Sequence, residues 1–314
     1  METAPFHEEI ARGPAGGRAF WLTAEDGVRL RLGVWPVPEG AKGTVFLLPG
    51  RTEYVEKYGP AAADFAARGY AMLAVDWRGQ GLADRLIADP MKGHIGAFTD
   101  YQRDLAAVIA AAGELGLPKP WVVLGHSMGG AIGLRAVLTA GHPFAACAFS
   151  APMWQIGLPA LLRPFGPTIA RLIGDTGFAD GYAPGTDARS YVLKAPFEDN
   201  KLTTDAEMWA FMVEQIGIEP ALTIAGPTWH WVCEGILECV AMAALPSPEL
   251  PCLTAVGALE RIIDIPAAEA RMARWPKGRL LRVPGAQHEI MMEGAASRKL
   301  FFDACAQVFD GVTG

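Results

Sequence analysis

The residues Gly125-His126-Ser127-Met128-Gly129 form a G-x-S-x-G motif, the spacing typical of a serine that acts as a nucleophile. The apolar run WVVLGH leads into the motif, and the small and apolar residues MGGAIGLRAVL lead out of it. We therefore predict a strand, a sharp turn and a helix, with the serine hydroxyl raised at the edge of a sheet. Because a serine hydroxyl is a weak nucleophile, this chemistry also requires a base and an acid that orients the base.

Three histidines that follow Ser127 in the chain are candidates for the base. His142 comes at the end of the helix predicted after the serine, where its charge would complement the helix C-terminus. His230 lies in WHW, within a region that lacks strand patterns. His288 lies in RLLRVPGAQHEIMME, on the loop after the last apolar run, where the base is expected in a nucleophile–acid–base order. We predict that His288 is the base.

The acid is expected on the loop after the preceding apolar run, PCLTAVG, where the sequence continues as ALERIID. This loop offers Glu260 and Asp264. Asp264 is followed by Ile265-Pro266 and a helical pattern, which is typical of a helix cap. Glu260 comes three residues after the final glycine of the strand, on the loop itself, and glutamate can serve as the acid of such a triad. We favour Glu260 and keep Asp264 as the alternative.

Acyl transfer also needs hydrogen-bond donors for the negatively charged oxygen of the tetrahedral intermediate. The backbone N–H of Met128, directly after the serine, is one expected donor. The second is expected from the loop after GTVFLLP, which reads Pro49-Gly50-Arg51. Gly50 would let the backbone approach the substrate, and the N–H of Arg51 would donate. The alternative is that this segment is an ordinary turn.

The elements that would position these residues alternate along the chain as apolar runs and amphipathic helical patterns. The alternation predicts an α/β fold with a mostly parallel central sheet flanked by helices. Residues 18–35 indicate a hairpin, and further strands are predicted at GTVFLLP, AMLAVD, WVVLGH, ACAFS, PCLTAVG and RLLRVPG. Helices are predicted near 56–68, 99–115, 129–140, 265–274 and 295–309. Each motif described above lies at the carboxyl end of a predicted strand, where ligands of such sheets bind.

Residues 152–248 interrupt this alternation with helical fragments, prolines and glycines. We interpret them as a helical cap inserted after the sixth strand, between the two parts of the core, 1–151 and 249–314. Aromatic residues of the cap are candidates for the walls of a substrate pocket: Trp154, Trp209, Trp229, His230 and Trp231. Within 158–173 the apolar residues are spaced for one helical face, which is expected to pack on the core or to contact lipid.

The overall composition excludes several classes of protein. Of the 314 residues, 51% are hydrophobic and 19% are charged, which is typical of a folded protein and not of a disordered one. The net charge is −7 and no basic stripe with interleaved aromatics occurs, so no nucleic-acid partner is expected. The segment METAPFHEEIARG lacks the apolar run of a signal peptide, and five cysteines without framework spacing fit a reducing compartment. We expect a cytoplasmic protein, with peripheral contact to the inner membrane as the alternative.

A metal site is not expected. His230, Cys233 and Cys239 are close in sequence, but their spacing matches no zinc-ligand pattern, and cysteine is often a small buried apolar residue. The serine chemistry described above requires neither a metal nor an organic cofactor.

Six segments resemble, in order, the bacterial lysophospholipase and monoacylglycerol lipase branch of the α/β-hydrolase family: LLPGRTEYVEKYGPAAADF, VDWRGQGLADR, FTDYQRDLAAVI, LGHSMGGAI, FSAPMW and GAQHEIMME. They extend through nearly all of the predicted core, whereas the cap is only loosely similar. The resemblance implies an α/β-hydrolase fold, with Ser127 as nucleophile, His288 as base and the amides of Arg51 and Met128 as the oxyanion hole.

Two departures from the family pattern are similar to the lysophospholipase subgroup: Pro49 replaces the histidine of many relatives, and Glu260 replaces their aspartate. The leading hypothesis is a serine carboxylester hydrolase that acts on single-chain lipids, lysophospholipids or monoacylglycerols, through an acyl-enzyme. An esterase for small esters is one alternative, and an aminopeptidase of the same fold, with Glu207 or Glu214 holding the substrate amine, is another. A non-catalytic binding protein on a hydrolase scaffold is disfavoured by the predicted nucleophile, base and acid.

Overall fold

The computed structural model of the chain describes residues 1–156, Thr168 and residues 179–313. In this part of the chain the strands are β1 (Glu2–Ala4), β2 (Arg18–Thr23), β3 (Arg29–Val34), β4 (Thr44–Leu48), β5 (Ala71–Asp76), β6 (Trp121–His126), β7 (Phe144–Ser150), β8 (Cys252–Gly257) and β9 (Gly278–Val283). They form one sheet in the order β1-β2-β3-β5-β4-β6-β7-β8-β9. Pairing is antiparallel from β1 to β5 and parallel from β5 to β9. The predicted α/β fold with a mostly parallel sheet is confirmed.

Helices cover both faces of the sheet. The described α-helices are α1 (Glu8–Ala11), α2 (Gly59–Ala66), α3 (Asp100–Glu114), α4 (Met128–Leu138), α5 (Tyr191–Lys194), α6 (Ala206–Ile218), α7 (Trp229–Ala243), α8 (Ile265–Met272) and α9 (Ala295–Asp310). Residues of α3, α4 and α8 belong to the core on one face, and residues of α2 and α9 belong to the core on the other. The five helices predicted from the core sequence are therefore present, with ends shifted by a few residues.

The strand β4 illustrates why the apolar runs are continuous. Phe46 and Leu48 point into the core on one face of the sheet, whereas Val45 and Leu47 point into the core on the other. Because both faces are covered, neither set of alternate side chains can be polar. Ligands therefore bind at the ends of the parallel strands, and in this protein the site lies at their carboxyl ends.

The N-terminal strand β1 is not predicted from the sequence, and it adds one to the number of strands that precede the insertion. β1 pairs antiparallel with β2 at the edge of the sheet, from Glu2 opposite Trp21 to Ala4 opposite Ala19. With this strand counted, the insertion follows the seventh strand, β7, and not the sixth. Three residues are too few to produce an alternating pattern, so this pairing leaves almost no signal in the sequence.

Between β7 and β8 the described residues form helices, including α5, α6 and α7, and no strand. The boundaries of the cap, 152–248, stay a prediction. The apolar face expected within 158–173 lies outside the described residues, of which this stretch contains only Thr168. Lipid contact through that face therefore also stays a prediction. None of the helices in the described residues is long and apolar enough to cross a membrane.

Candidate active site

Ser127 occupies the turn between β6 and α4 with φ 50° and ψ −115°. A residue other than glycine adopts such a conformation at a cost of about 1–3 kcal/mol, so the surroundings must hold it there. The N–H of Ser127 donates to the carbonyl of Ser150 at 3.1 Å, and the carbonyl of Ser127 accepts from Gly130 at 2.9 Å. Gly129 packs so closely on β4 that a Cβ would overlap the carbonyl oxygen of Leu48. The predicted turn and its close backbone contacts are thus present.

Ser127, His288 and Glu260 form a continuous hydrogen-bonded chain. The Nε2 atom of His288 is 3.0 Å from Ser127 Oγ, and its Nδ1 atom is 2.7 Å from Glu260 Oε2. His288 follows β9 and Glu260 follows β8, and these parallel neighbours end at the same edge of the sheet as β6. The structure therefore brings together three residues chosen from separate parts of the sequence. Their catalytic roles remain predictions.

The two carboxylates after β8 serve different contacts. The side chain of Glu260 has no exposed surface, and its Oε1 accepts from the N–H groups of Ile262 at 2.5 Å and Ile263 at 3.2 Å. Burial opposes its ionisation, but the bond to His288 and these two amides outweigh burial, so the pKa of Glu260 is lowered. Asp264 caps α8, because its Oδ1 accepts from a backbone N–H of the first turn at 3.1 Å. Glu260 is thus the carboxylate that contacts His288.

The loop after β4 lies directly against the serine. A Cβ on Gly50 would be 3.1 Å from the Cβ of Ser127, so a larger residue would crowd the nucleophile. The backbone N–H groups of Arg51 and Met128 find no acceptor within the part of the chain that is described. They are therefore available as donors beside the serine, as the sequence predicts for an oxyanion hole.

Side chains behind this loop hold it in place. The amide nitrogen of Gln80 donates to the carbonyls of Gly50 at 2.8 Å and Glu53 at 3.0 Å. The carboxylate of Glu53 accepts from the N–H of Gly50 and from the hydroxyl of Tyr58. Trp77 donates to the carbonyl of Pro49 at 3.0 Å. Because these contacts are buried, they restrict the backbone that carries the donors.

Four buried ionisable residues form what we call the ion cluster: Glu53, Lys57, His126 and Glu289. The ammonium of Lys57 lies 2.7 Å from a carboxylate oxygen of each glutamate. The Nε2 atom of His126 lies 3.4 Å from Glu53 and 3.2 Å from Glu289. The ring of His126 also contacts the ring of His288, with centroids 4.9 Å apart. The ion cluster therefore packs directly against the candidate base, His288.

The charges of the ion cluster stabilise one another. Burial lowers the pKa values of Lys57 and His126, but the two glutamates outweigh burial and raise both. Burial opposes ionisation of Glu289, yet Lys57 and His126 hold its pKa well below the usual range. The ligand atoms of Glu53, His126 and Glu289 lie within 4.8 Å of one another, as in a metal site. The ammonium of Lys57 already contacts both carboxylates, so it supplies the cation there.

Ser127 and His288 line a cavity of about 340 Å³. Its described walls come from the loop after β4, from residues 185–202, from α6 and from the loops after β8 and β9. Its lining includes five large apolar side chains, which we call the apolar wall: Val192, Leu202, Met212, Ile216 and Ile262.

The aromatic residues expected to wall the pocket do not line this cavity. The described lining contains none of Trp154, Trp209, Trp229, His230 and Trp231. Trp154, Trp209 and Trp231 are buried in the apolar core, and His230 stacks on His94 with centroids 5.3 Å apart. None of these residues therefore lines this cavity in the described part of the chain, and their place in a substrate pocket stays a prediction. Large aromatic side chains gain more from burial in the core than a solvent-filled cavity can provide.

The ion cluster is the part of the site that sequence reasoning missed. Its signals were adjacency and spacing: His126 directly precedes Ser127, Glu289 directly follows His288, and Glu53 and Lys57 are four residues apart. His126 and Glu289 therefore adjoin the predicted nucleophile and base in sequence, whereas Glu53 and Lys57 adjoin no predicted site residue. Charged residues at this spacing usually form an exposed pair on a helix, so the sequence does not indicate that Glu53 and Lys57 are buried.

Comparison with known proteins places these features in a family. Residues 39–295 match the family model described as Serine aminopeptidase, S33. The chain is 35% identical over 284 residues to lysophospholipase L2 of Escherichia coli K12, covering 85% of this chain and 80% of the relative. It is 29% identical over 295 residues to a probable lysophospholipase L2 of Haemophilus influenzae, covering 93% of this chain and 90% of the relative.

Solved structures show the same fold. A soluble variant of monoglyceride lipase from Saccharomyces cerevisiae, in complex with a substrate analog, has a TM-score of 0.70 at 19% identity. The superposition covers 93% of this chain and 95% of that one. Since the family model spans most of the sequence and the first relative exceeds 30% identity, the chain belongs to the α/β-hydrolase family, in its lysophospholipase- and monoacylglycerol lipase-like branch, and is a serine ester hydrolase.

Proposed function

We propose that the protein hydrolyses the ester bond of single-chain lipids, either lysophospholipids or monoacylglycerols. The observation that carries the proposal is the hydrogen-bonded chain from Ser127 through His288 to Glu260, with distances of 3.0 and 2.7 Å, beside a cavity of about 340 Å³. The apolar wall of that cavity suits an acyl chain, of which each buried methylene contributes about 0.8 kcal/mol. The names of the relatives, lysophospholipase L2 and monoglyceride lipase, support the lipid class.

In the proposed reaction, Ser127 Oγ attacks the carbonyl carbon of the ester while His288 Nε2 takes its proton. Glu260 keeps the imidazole proton on Nδ1, so that Nε2 is free to accept, and stabilises the imidazolium that forms. The amides of Arg51 and Met128 donate to the carbonyl oxygen as it becomes negative. His288 then gives its proton to the departing alcohol oxygen, which leaves an acyl ester on Ser127. Water attacks this ester with His288 as base, releasing the fatty acid and restoring the serine.

An aminopeptidase of the same fold would need an available carboxylate to hold the amine of its substrate. Glu207 and Glu214 lie 3.8 and 2.8 Å from Arg12, and neither is among the described residues that line the cavity. The three carboxyl groups that do line the cavity each contact a lysine or arginine side chain. These pairings favour an ester substrate over a peptide.

The test is hydrolysis of lysophosphatidylcholine, a monoacylglycerol and short p-nitrophenyl esters in parallel, with Ser127→Ala as the blank. We expect faster turnover of the long single-chain lipids, and a loss on the order of 10⁶ in kcat for Ser127→Ala. Activity confined to short esters would overturn the lipid assignment and leave the triad intact. Failure of a fluorophosphonate to label Ser127 would overturn the catalytic proposal itself.

A further inference from the structure

The cavity beside Ser127 has a predominantly cationic lining, although the chain as a whole carries a net charge of −7. Five cationic and three anionic side chains line it in the described part of the chain. Two of the cations, Arg189 and Lys194, lie 3.0 and 2.8 Å from the carboxylate of Asp187. A third, Lys57, belongs to the ion cluster. These three cations are therefore paired within the protein.

The two remaining cations are Arg51 and Lys201, which form no ion pair with any described residue. Lys201 lies at the exposed rim, whereas Arg51 is partly buried. A guanidinium has five N–H donors. The acceptor that Arg51 meets among the described residues is the carbonyl of Ala225, 2.6 Å from Nη1. Burial lowers the pKa of Arg51 to about 10, so the group stays protonated at neutral pH.

Two other buried arginines of the described chain, Arg31 and Arg78, are paired with carboxylates. Arg31 lies 2.7 Å from both Glu56 and Asp76, and Arg78 lies 2.7 Å from Asp104. A third, Arg271, donates to three neutral oxygens, the carbonyls of Met242 and Leu245 and the hydroxyl of Ser247, whereas Arg51 meets a single acceptor. Removing a cation from water without a partner carries a large desolvation penalty. Arg51 therefore does not contribute to stability in the way Arg31 does. Its open donors instead fit a site that receives an anion from outside the protein.

The acceptor of the Arg51 guanidinium belongs to the cavity wall. Ala225, whose carbonyl accepts from it, and the adjacent Gly226 line the same cavity. The guanidinium carbon lies 5.8 Å from the centre of the Trp231 ring, and this contact restricts the position of the guanidinium. The backbone of Arg51 directly follows Gly50, which packs beside the nucleophile. The backbone of Arg51 therefore lies beside the nucleophile, and its guanidinium contacts a second lining residue of the same cavity, Ala225.

We propose that Arg51 is a specificity-determining residue, whose guanidinium binds the phosphate of a lysophospholipid while the acyl ester lies at Ser127. This inference rests on the proposed function. In a lysophospholipid one glycerol unit joins the ester to the phosphate, so the phosphate must bind in the same cavity as the ester, and Arg51 and Ser127 both line that cavity. A planar guanidinium can donate two parallel N–H bonds to two phosphate oxygens. A neutral monoacylglycerol offers no such acceptor, so it leaves these donors unpaired.

The experiment compares kcat/KM for a lysophosphatidylglycerol and for a monoacylglycerol with the same acyl chain, in wild type and in Arg51→Met. The readout is the ratio of the two specificity constants, because any effect on the oxyanion amides acts on the same ester carbonyl in both substrates. We expect Arg51→Met to lower the ratio about 10- to 100-fold, the range for a hydrogen bond to a charged group. The loss should fall mainly on KM, since the phosphate is bound before and during the reaction.

Arg189→Met is the matched control, because it removes a cation of the same cavity that is already paired with Asp187. We expect the ratio in this variant to stay within about threefold of wild type. An unchanged ratio in Arg51→Met, or an equal fall in both variants, overturns the assignment of the phosphate to Arg51. A wild-type enzyme that cleaves neither lipid overturns the proposed function, and the inference with it.

Discussion

Replacing Glu260 by glutamine tests the orientation of the base while preserving the shape of the acid. Glu260 Oε1 accepts from the N–H groups of Ile262 and Ile263, so the glutamine carbonyl is held at that position. The amide nitrogen then occupies the position of Oε2, 2.7 Å from His288 Nδ1. Because an amide N–H donates, Nδ1 becomes the acceptor and the imidazole proton moves to Nε2. In that tautomer His288 cannot take the proton of Ser127.

The expected loss in kcat is about 10⁴, or about 5.4 kcal/mol in the barrier, which is the cost of the same tautomer inversion in another serine hydrolase. Asp264→Asn is the matched control on the same loop. Its amide oxygen can still accept from the backbone N–H that Asp264 binds at 3.1 Å. We therefore expect a change of less than about threefold in kcat.

The assay is the single-turnover release of p-nitrophenol from an acyl ester, which isolates acylation from release of the fatty acid. Thermal unfolding of each variant verifies that the fold is retained. The reasoning is refuted if Asp264→Asn loses far more activity than Glu260→Gln. It is also refuted if Glu260→Gln acylates at close to the wild-type rate.

Two further predictions concern the ion cluster. Lys57→Met removes one of the two cations that contact the buried Glu53 and Glu289, so we expect the free energy of unfolding in urea to fall by about 3–5 kcal/mol. As the control, Lys299→Met removes the lysine of an exposed pair and should lower it by less than about 0.5 kcal/mol. A loss below about 1 kcal/mol for Lys57→Met would contradict the reasoning. His126 has its pKa raised above 6.5, so the stability it adds is complete below that pH and is lost as the pH rises through the folded-state pKa. Urea unfolding of wild type and His126→Gln from about pH 6 to pH 9 should therefore converge with rising pH, and a constant difference would count against a charged imidazole.

The sequence identifies Ser127, His288 and Glu260 as candidates because each has a local signal, and the structure places the three side chains in contact. Ser127 stands in a motif whose glycines are required by close backbone contacts: Gly129 lies against β4, and Gly125 lies against Gly129 and Gly130. The pattern therefore reports a steric need. His288 and Glu260 were chosen by their place after strands, and parallel strands bring such places to one edge. Their proximity can be expected from the sequence because residues that follow parallel strands lie close together at one edge of the sheet.

Features that depend on partners distant in sequence could not be predicted in this way. The pairing of β1 with β2 is decided by an available sheet edge, which three residues cannot reveal. The burial of Lys57 depends on Glu289, which lies 232 residues further along the chain. A helical pattern that contains aromatic residues does not show whether the tryptophans of the cap are buried in the core or line a cavity. In each case the missing information is which surface of the protein the side chain meets.

The pairing of β7 with β8 has a consequence for how the enzyme becomes active. Ser150 pairs with Ala255 across an insertion of about a hundred residues, and closing so long a loop is entropically unfavourable and slow. Strands β1 to β7 emerge from the ribosome first and already contain Ser127, its turn and the loop with Arg51. Glu260 and His288 join them only when β8 and β9 add to the sheet. In the proposed mechanism the nascent chain therefore carries Ser127 without its base and acid, and we expect hydrolysis to begin only once the fold closes.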